Sequence, residues 1–266
     1  MQAGFLEGSQ GPLFHVRHKP SAPVRGHILY VHPFAEELNK SRRMAALQAR
    51  RFAQHGWHVV QPDLYGCGDS GGDFGDADWR TWRDDLERCV DALLPDDGLP
   101  RLLMGLRGGC LLIGDLLAAR PDACAGVIFW QPSVNGETLL NQFLRLRLAA
   151  GMMSGQREST SGLRERLAQG ETVEVAGYVL GPGLAAGLAA ARLEPPPGIP
   201  VHWLEVTQGE MTEPGPASAR TIAAWRDAGC AVDARVVRGE PFWSTQEIRE
   251  VPALIEQTLA CAGQMA

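Results

Sequence analysis

From residue 26 to about residue 130, short apolar runs alternate with segments whose apolar positions recur at helical spacing. That repetition predicts successive βαβ units and a parallel sheet. Gly26-His27-Ile28-Leu29-Tyr30-Val31 is the first clear buried strand, and after a loop from 32 to 40 a helix turns Met44, Leu47 and Phe52 inward. His58-Val59-Val60 forms the next strand, followed by a Gly/Asp-rich loop over 63–76. Trp79, Trp82, Leu86, Cys89 and Leu93 fall at i, i+3, i+7, i+10 and i+14, the stripe of a helix lying on a sheet. Leu102-Leu103-Met104 and Val127-Ile128-Phe129-Trp130 read as two more buried strands. Between Ser133 and about Pro197 the pattern changes to helical segments, at 139–150, 163–168 and 184–193, without strong strands. Pro195-Pro196-Pro197 closes this stretch as a stiff linker. Strand patterns return at 201–206 and 232–237, separated by a helix over 217–228, and a last helix turns Val251, Leu254, Ile255 and Leu259 inward. The expected architecture is an α/β core over 1–132 and 199–266, with a helical cap inserted over 133–198.

Composition narrows the partners. A chain of 266 residues with 45% apolar and 21% charged residues is long enough for one large α/β domain with an insertion. A formal charge of −6 and the absence of a Lys/Arg block argue against nucleic acid or anionic lipid as the main partner. The six cysteines are scattered, with no C-x-x-C and no spacing suited to zinc, so reduced thiols in a cytoplasmic protein are expected, with no metal. No apolar run approaches the roughly 18 residues of a membrane span, and no signal-peptide pattern opens the chain.

The chemistry centres on Gly105-Leu106-Arg107-Gly108-Gly109, which lies between the apolar runs Leu102-Leu103-Met104 and Cys110-Leu111-Leu112-Ile113. Strand, sharp turn, helix is the context of the G-x-S-x-G nucleophile elbow. Its middle residue here is Arg107, and a guanidinium has no lone pair with which to act as nucleophile or base. Strand, elbow, insertion and returning strands match the α/β-hydrolase plan, whose acid follows a late strand and whose histidine follows the last one. Histidines occur at 15, 18, 27, 32, 55, 58 and 202, none of them after the last strand. The acid position is open between Glu205 and Glu210. No cofactor is expected: Gly66-Cys67-Gly68-Asp69-Ser70-Gly71 fits G-x-G-x-x-G but continues as loop instead of opening a helix.

His32-Pro33-Phe34 follows the first strand, where this plan supplies an oxyanion-hole amide; Phe34 and Gly108 are the expected donors, since proline has no N–H. Arg107 either binds an anionic ligand beside that helix N-terminus or pairs with Glu36, Glu37 or Asp69 and plugs the site. Arg42 belongs to the same polar rim, and Asn39 or Ser41 can cap the helix that follows. Substitute nucleophiles are Cys67, Ser70 and Cys110, with His32 the one imidazole placed near the elbow. Two functions stay open: a degenerate site that binds an anion or a partner, and an ester or thioester hydrolase using one of these groups. A third, an interaction module working through the cap, would show a large exposed apolar patch there.

Residues 32–44 (HPFAEELNKSRRM), the Asp63 to Ser70 loop, Gly105-Leu106-Arg107 and Pro241-Phe242-Trp243 resemble exosortase A system-associated hydrolase 2, a bacterial group within the α/β-hydrolase superfamily. The resemblance spans most of the chain. It implies a setting in PEP-CTERM protein sorting and exopolysaccharide gene clusters, with an acyl or glycan-related ligand or an exosortase-system protein as partner. Fold and family setting do not by themselves fix a reaction.

Overall fold

The computed structural model describes residues 1–153 and 158–266. Its sheet has eight strands: β1 (Gln2–Glu7), β2 (Pro12–His18), β3 (Gly26–Val31), β4 (Trp57–Pro62), β5 (Arg101–Leu106), β6 (Gly126–Trp130), β9 (Val201–Thr207) and β10 (Val232–Arg238). Their spatial order is β1-β2-β4-β3-β5-β6-β9-β10. Every pair from β4 to β10 is parallel, and β1 and β2 are antiparallel additions at one edge. This is the α/β-hydrolase fold.

The strands of the centre are near-continuous apolar runs because helices cover both faces. All residues of β3 and β6 are buried. Helices α1 (Glu36–Gln54), α2 (Trp79–Leu93), α3 (Gly108–Ala119), α7 (Pro216–Asp227) and α8 (Pro252–Gly263) supply the layers. Side chains of one sheet face, among them Leu29, Leu103, Phe129 and Trp203, join a core with α2 and α3; those of the other, Ile28, Met104, Ile128 and Leu204, join α1 and α8. The faces are stitched by polar contacts as well. The Trp130 indole donates to Thr258 Oγ1 at 2.8 Å in a fully buried setting. Thr258→Val is expected to leave that N–H without a partner and lower stability by about 1–3 kcal/mol, read as a shift in the urea midpoint.

Between β6 and β9 the chain runs through α4 (Gly136–Met153), α5 (Thr160–Ala168), β7 (Val173–Val175), β8 (Tyr178–Leu180) and α6 (Pro182–Ala190). Residues 154–157 of the predicted insertion lie outside the described residues. The hairpin β7–β8 stands where sequence periodicity predicts helices alone. Its strands are only three residues each, and Ala176 (φ 50°) with Gly177 (φ 83°) forms the tight turn between them. α6 packs against α2 so closely that a Cβ on Gly187 would lie 2.2 Å from Trp79 Cβ.

The hairpin β1–β2 is also absent from the sequence-based reading. β1 is largely exposed, and β2 turns His15 and His18 into buried positions that an apolar pattern would need to fill. α1 begins earlier than its Asn39 or Ser41 cap predicts. Ala35 stands at its N-terminus, Asn39 donates to the Tyr178 hydroxyl, and Ser41, inside the helix, donates back to the Glu37 carbonyl. Leu47 is half-buried, whereas Leu38, Ala45 and Gln48 lie inward with Met44 and Phe52.

Candidate active site

Three strand ends converge at the C-terminal edge of the sheet, where open α/β sheets bind ligands. β5 runs between β3 and β6 and ends at Leu106, paired with Trp130. The next residue, Arg107, has φ 53° and ψ −114°, a conformation unusual for a side chain larger than glycine. It is held there by its own backbone: its N–H donates to the Trp130 carbonyl at 3.0 Å, and its carbonyl accepts from Ser133 N–H at 3.2 Å. Glycines make the turn possible. A Cβ on Gly109 would stand 2.4 Å from the Val31 carbonyl oxygen.

The Arg107 side chain reaches three elements. Its Nε donates to Glu37 Oε1 of α1 at 3.1 Å and its Nη2 to Gln142 Oε1 of α4 at 3.1 Å. Its guanidinium carbon lies 5.9 Å above the ring of Trp243, in the segment after β10. The Arg107 and Glu37 side chains are only 16% and 11% exposed, so this pair is poorly screened by water. Burial drives the Glu37 carboxyl up to about 7, against the pull of Arg107. Burial raises Glu36 too, opposed by Lys40 and Arg107. The Oε2 atoms of both glutamates are buried without a partner among the described residues.

A cleft of about 290 Å³ opens beside this pair, walled by Glu36, Glu37, Arg107, Gln142, Trp243 and Ser244, with Phe34, Leu139 and Phe143 on its apolar side. Phe34 and Gly108 adjoin each other: a Cβ on Gly108 would lie 3.6 Å from Phe34 N. The predicted oxyanion donors are thus neighbours at the foot of the elbow.

Several other predicted site residues are placed elsewhere. Arg42 turns to the buried carboxylate of Asp63, Nη2 to Oδ2 at 3.1 Å. Asp69 is exposed and its backbone N–H donates to the same Asp63 oxygen; among the described residues the elbow arginine pairs with Glu37 instead. His32 has both ring nitrogens committed: Nδ1–H donates to the Pro33 carbonyl at 2.8 Å and Nε2 accepts from Leu64 N–H at 3.2 Å. Burial lowers its pKa, which suits this neutral tautomer. An imidazole so occupied cannot activate a thiol.

The substitute nucleophiles are equally committed. Cys67 and Cys110 are buried and desolvation raises both thiols, Cys110 with its sulfur directed at the Trp130 carbonyl. Ser70 donates to the Asp63 carbonyl at 2.6 Å and accepts from Phe14 N–H, closing the Gly-rich loop on itself. Of the two acids, Glu205 accepts from the Trp203 indole at 2.9 Å and from Gly215 N–H at 3.1 Å, and Glu210 is exposed beyond β9. Gln142 and Ser244 are wall residues that the sequence does not single out, and Trp243 stands out there only within the Pro241-Phe242-Trp243 motif.

His202, Asp233 and Cys261 bring ligand-type atoms within 4.8 Å of one another far along the chain from the elbow. Arg235 already donates to Asp233 Oδ2 from Nε at 3.0 Å and Nη2 at 2.6 Å, so the carboxylate is neutralised by a guanidinium.

Residues 22–168 match the family model described as serine aminopeptidase, S33. Among solved structures, ferulic-acid-bound Est1E from Butyrivibrio proteoclasticus is similar over 99% of both chains, at 15% identity and a TM-score of 0.71. The alpha/beta hydrolase domain-containing protein 10 from mouse is similar over 100% of this chain and 98% of that one, at 18% identity and a TM-score of 0.65. A thermostable carboxyl esterase from Bacillus coagulans follows at 17% identity, TM-score 0.65, over 99% and 98%. At such identities the likeness concerns the fold. No curated protein matches the sequence.

Proposed function

We propose, from the premise that the chain belongs to the serine aminopeptidase S33 family of α/β-hydrolases, that it is a binding member in which serine-triad hydrolysis has been replaced. The observation that carries this reading is the side chain at the elbow: Arg107 occupies the nucleophile's place and is anchored by Glu37, Gln142 and Trp243. A hydrolase needs a nucleophile within reach of a base. Here the nearest imidazole is spent on backbone groups and the nearest thiols are buried.

The ligand we propose is a small acid, an acyl or glycan-derived carboxylate, taken into the cleft between α1 and α4. The segment 133–198 acts as its cap, and the resemblance to exosortase-associated proteins supports a ligand or partner of exopolysaccharide and envelope processing. The neighbouring Phe34 and Gly108 amides offer one carboxylate oxygen a donor pair, and Arg107 offers its fork. Glu37 competes for that fork. Protonating Glu37 frees it, so anion binding strengthens as pH falls through about 7.

Hydrolysis of p-nitrophenyl butyrate and of a short acyl thioester is expected to stay at the buffer rate for the wild type, Arg107→Ser, Cys67→Ala and Cys110→Ala. Wild-type turnover that disappears in a cysteine variant would replace this reading with an unusual hydrolase. Titration with glucuronate is expected to give binding about tenfold tighter at pH 6 than at pH 8, as one proton with a pKa of about 7 dictates.

A further inference from the structure

Along α1, past the turn that carries Glu37, a second cavity of about 190 Å³ lies between the helix and strands β2 and β4. Nothing in the proposed function uses it. Its walls are chiefly apolar, with Phe14 and Val16 from β2, Leu38 and Ala45 from α1, and Pro62 at the end of β4. A cavity of about 150 Å³ admits a benzene ring, so this one has room for a ring bearing one or two further heavy atoms.

Two polar groups make it more than an apolar void. The Tyr30 side chain lines it and is 5% exposed; its buried hydroxyl lies beside the Ser41 hydroxyl, also on the cavity wall, and closes no hydrogen bond of ordinary geometry among the described residues. A buried hydroxyl left unpaired is costly, and a ligand oxygen would relieve that cost. Arg42 also lines the cavity, with its side chain 44% exposed. One of its nitrogens donates to Asp63, and the remaining donors of its fork point to no partner among the described residues. Asp63 is the opposing charge, and near His18 on the β2 wall the amino group of Met1, itself a wall residue, and then Arg50 add positive charge. His18 is bonded through Nε2 to Gln61 at 3.1 Å, and His32 is bonded at both nitrogens and does not compete for the ligand.

We infer that this cavity is a binding site for a compact, oxygenated monocarboxylate, its ring or branched body between β2 and α1, its carboxylate on Arg42 and a second oxygen on the Tyr30 hydroxyl. The site is separate from the elbow cleft, whose lining it does not share. It stands whether or not the Arg107 reading is right.

Ligand-observed NMR titrations of the full chain with benzoate and 4-hydroxybenzoate test it. Both should bind saturably, the hydroxylated acid more tightly, and Tyr30→Phe should erase the difference between them. Arg42→Gln should weaken both about tenfold, the scale of a lost charge-assisted bond. Ala46→Phe, at a half-buried wall position facing the cavity, should fill the space and abolish binding while the thermal midpoint holds. Gly263→Ala, near the end of α8 and on the wall of neither cavity, should leave both affinities unchanged. Absence of saturable binding to the folded wild type, or binding indifferent to Arg42→Gln and Ala46→Phe, which line this cavity and not the elbow cleft, would each overturn the assignment.

Discussion

Arg107→Met is expected to cost about 3 kcal/mol of stability at pH 8 and much less at pH 5, because breaking one partner of a buried ion pair strands the other. The sign follows from Glu37. Its folded pKa, about 7, lies above its ordinary 4.5, so the folded state holds the proton more tightly than the unfolded chain does. In the wild type that contribution is fully present below about 4.5 and is lost as pH rises through about 7. Removing Arg107 removes the attraction that restrains the rise, and Glu37 then titrates higher still. At pH 5 the carboxyl is neutral in either folded protein, and the variant forfeits chiefly the packing on Trp243. At pH 8 the wild type has a paired carboxylate, whereas the variant must bury either an orphan carboxylate or a proton taken up against the pH, and both cost stability. Urea midpoints at the two pH values measure this, and adding Glu37→Gln to the variant should recover most of the loss at pH 8. Equal losses at both pH values would show that guanidinium packing outweighs the charge pair.

Gly109→Ala should be as damaging by a different route, with an expected loss of about 3 kcal/mol or more from overpacking. The added methyl would stand 2.4 Å from the Val31 carbonyl oxygen and 2.7 Å from that of His32. Neither is the free end of a flexible side chain; both belong to β3 and the turn that positions Phe34. The strain is therefore relieved only by parting α3 from β3, which also separates the Phe34 and Gly108 amides. Gly263→Ala, near the end of α8 with nothing within 4 Å of its added carbon, is the matched control and should be close to neutral. Thermal midpoints compare the two, and a wild-type-like midpoint for Gly109→Ala would show that the elbow is looser than its contacts indicate.

The parallel strands and the elbow were legible in the chain because burial on both faces writes an uninterrupted apolar run, as in Gly26–Val31 and Gly126–Trp130. The antiparallel edge was not, since β1 is mostly exposed and β2 buries imidazoles where a pattern search expects aliphatic residues. The substitution of Arg107 and the missing late histidine could be read directly. Its partner could be read only as a choice of three carboxylates, and the fold selects Glu37 because α1 starts at Glu36 rather than at Asn39 or Ser41. Gln142 escaped notice although a signal existed. Leu139, Phe143 and Leu146 mark the α4 face that meets the cleft, and Gln142 adjoins that stripe. Placing the stripe over the elbow requires tertiary structure. Arg42 follows Glu36 and Glu37 closely in sequence and Asp69 belongs to a loop at the same sheet edge, but Asp63 collects both.

The six cysteines stand in different parts of the fold, five of them buried and Cys230 half-buried, and desolvation raises every thiol above its ordinary value. Oxidants and alkylating agents act on thiolates that they can reach. The folded molecule withholds both the charge and the access at five of its six sulfurs. A disulfide or covalent adduct at Cys67, Cys89, Cys110, Cys124 or Cys261 is therefore a record of chain that was open when it formed, and the pattern of modified sulfurs identifies which part of the molecule had opened.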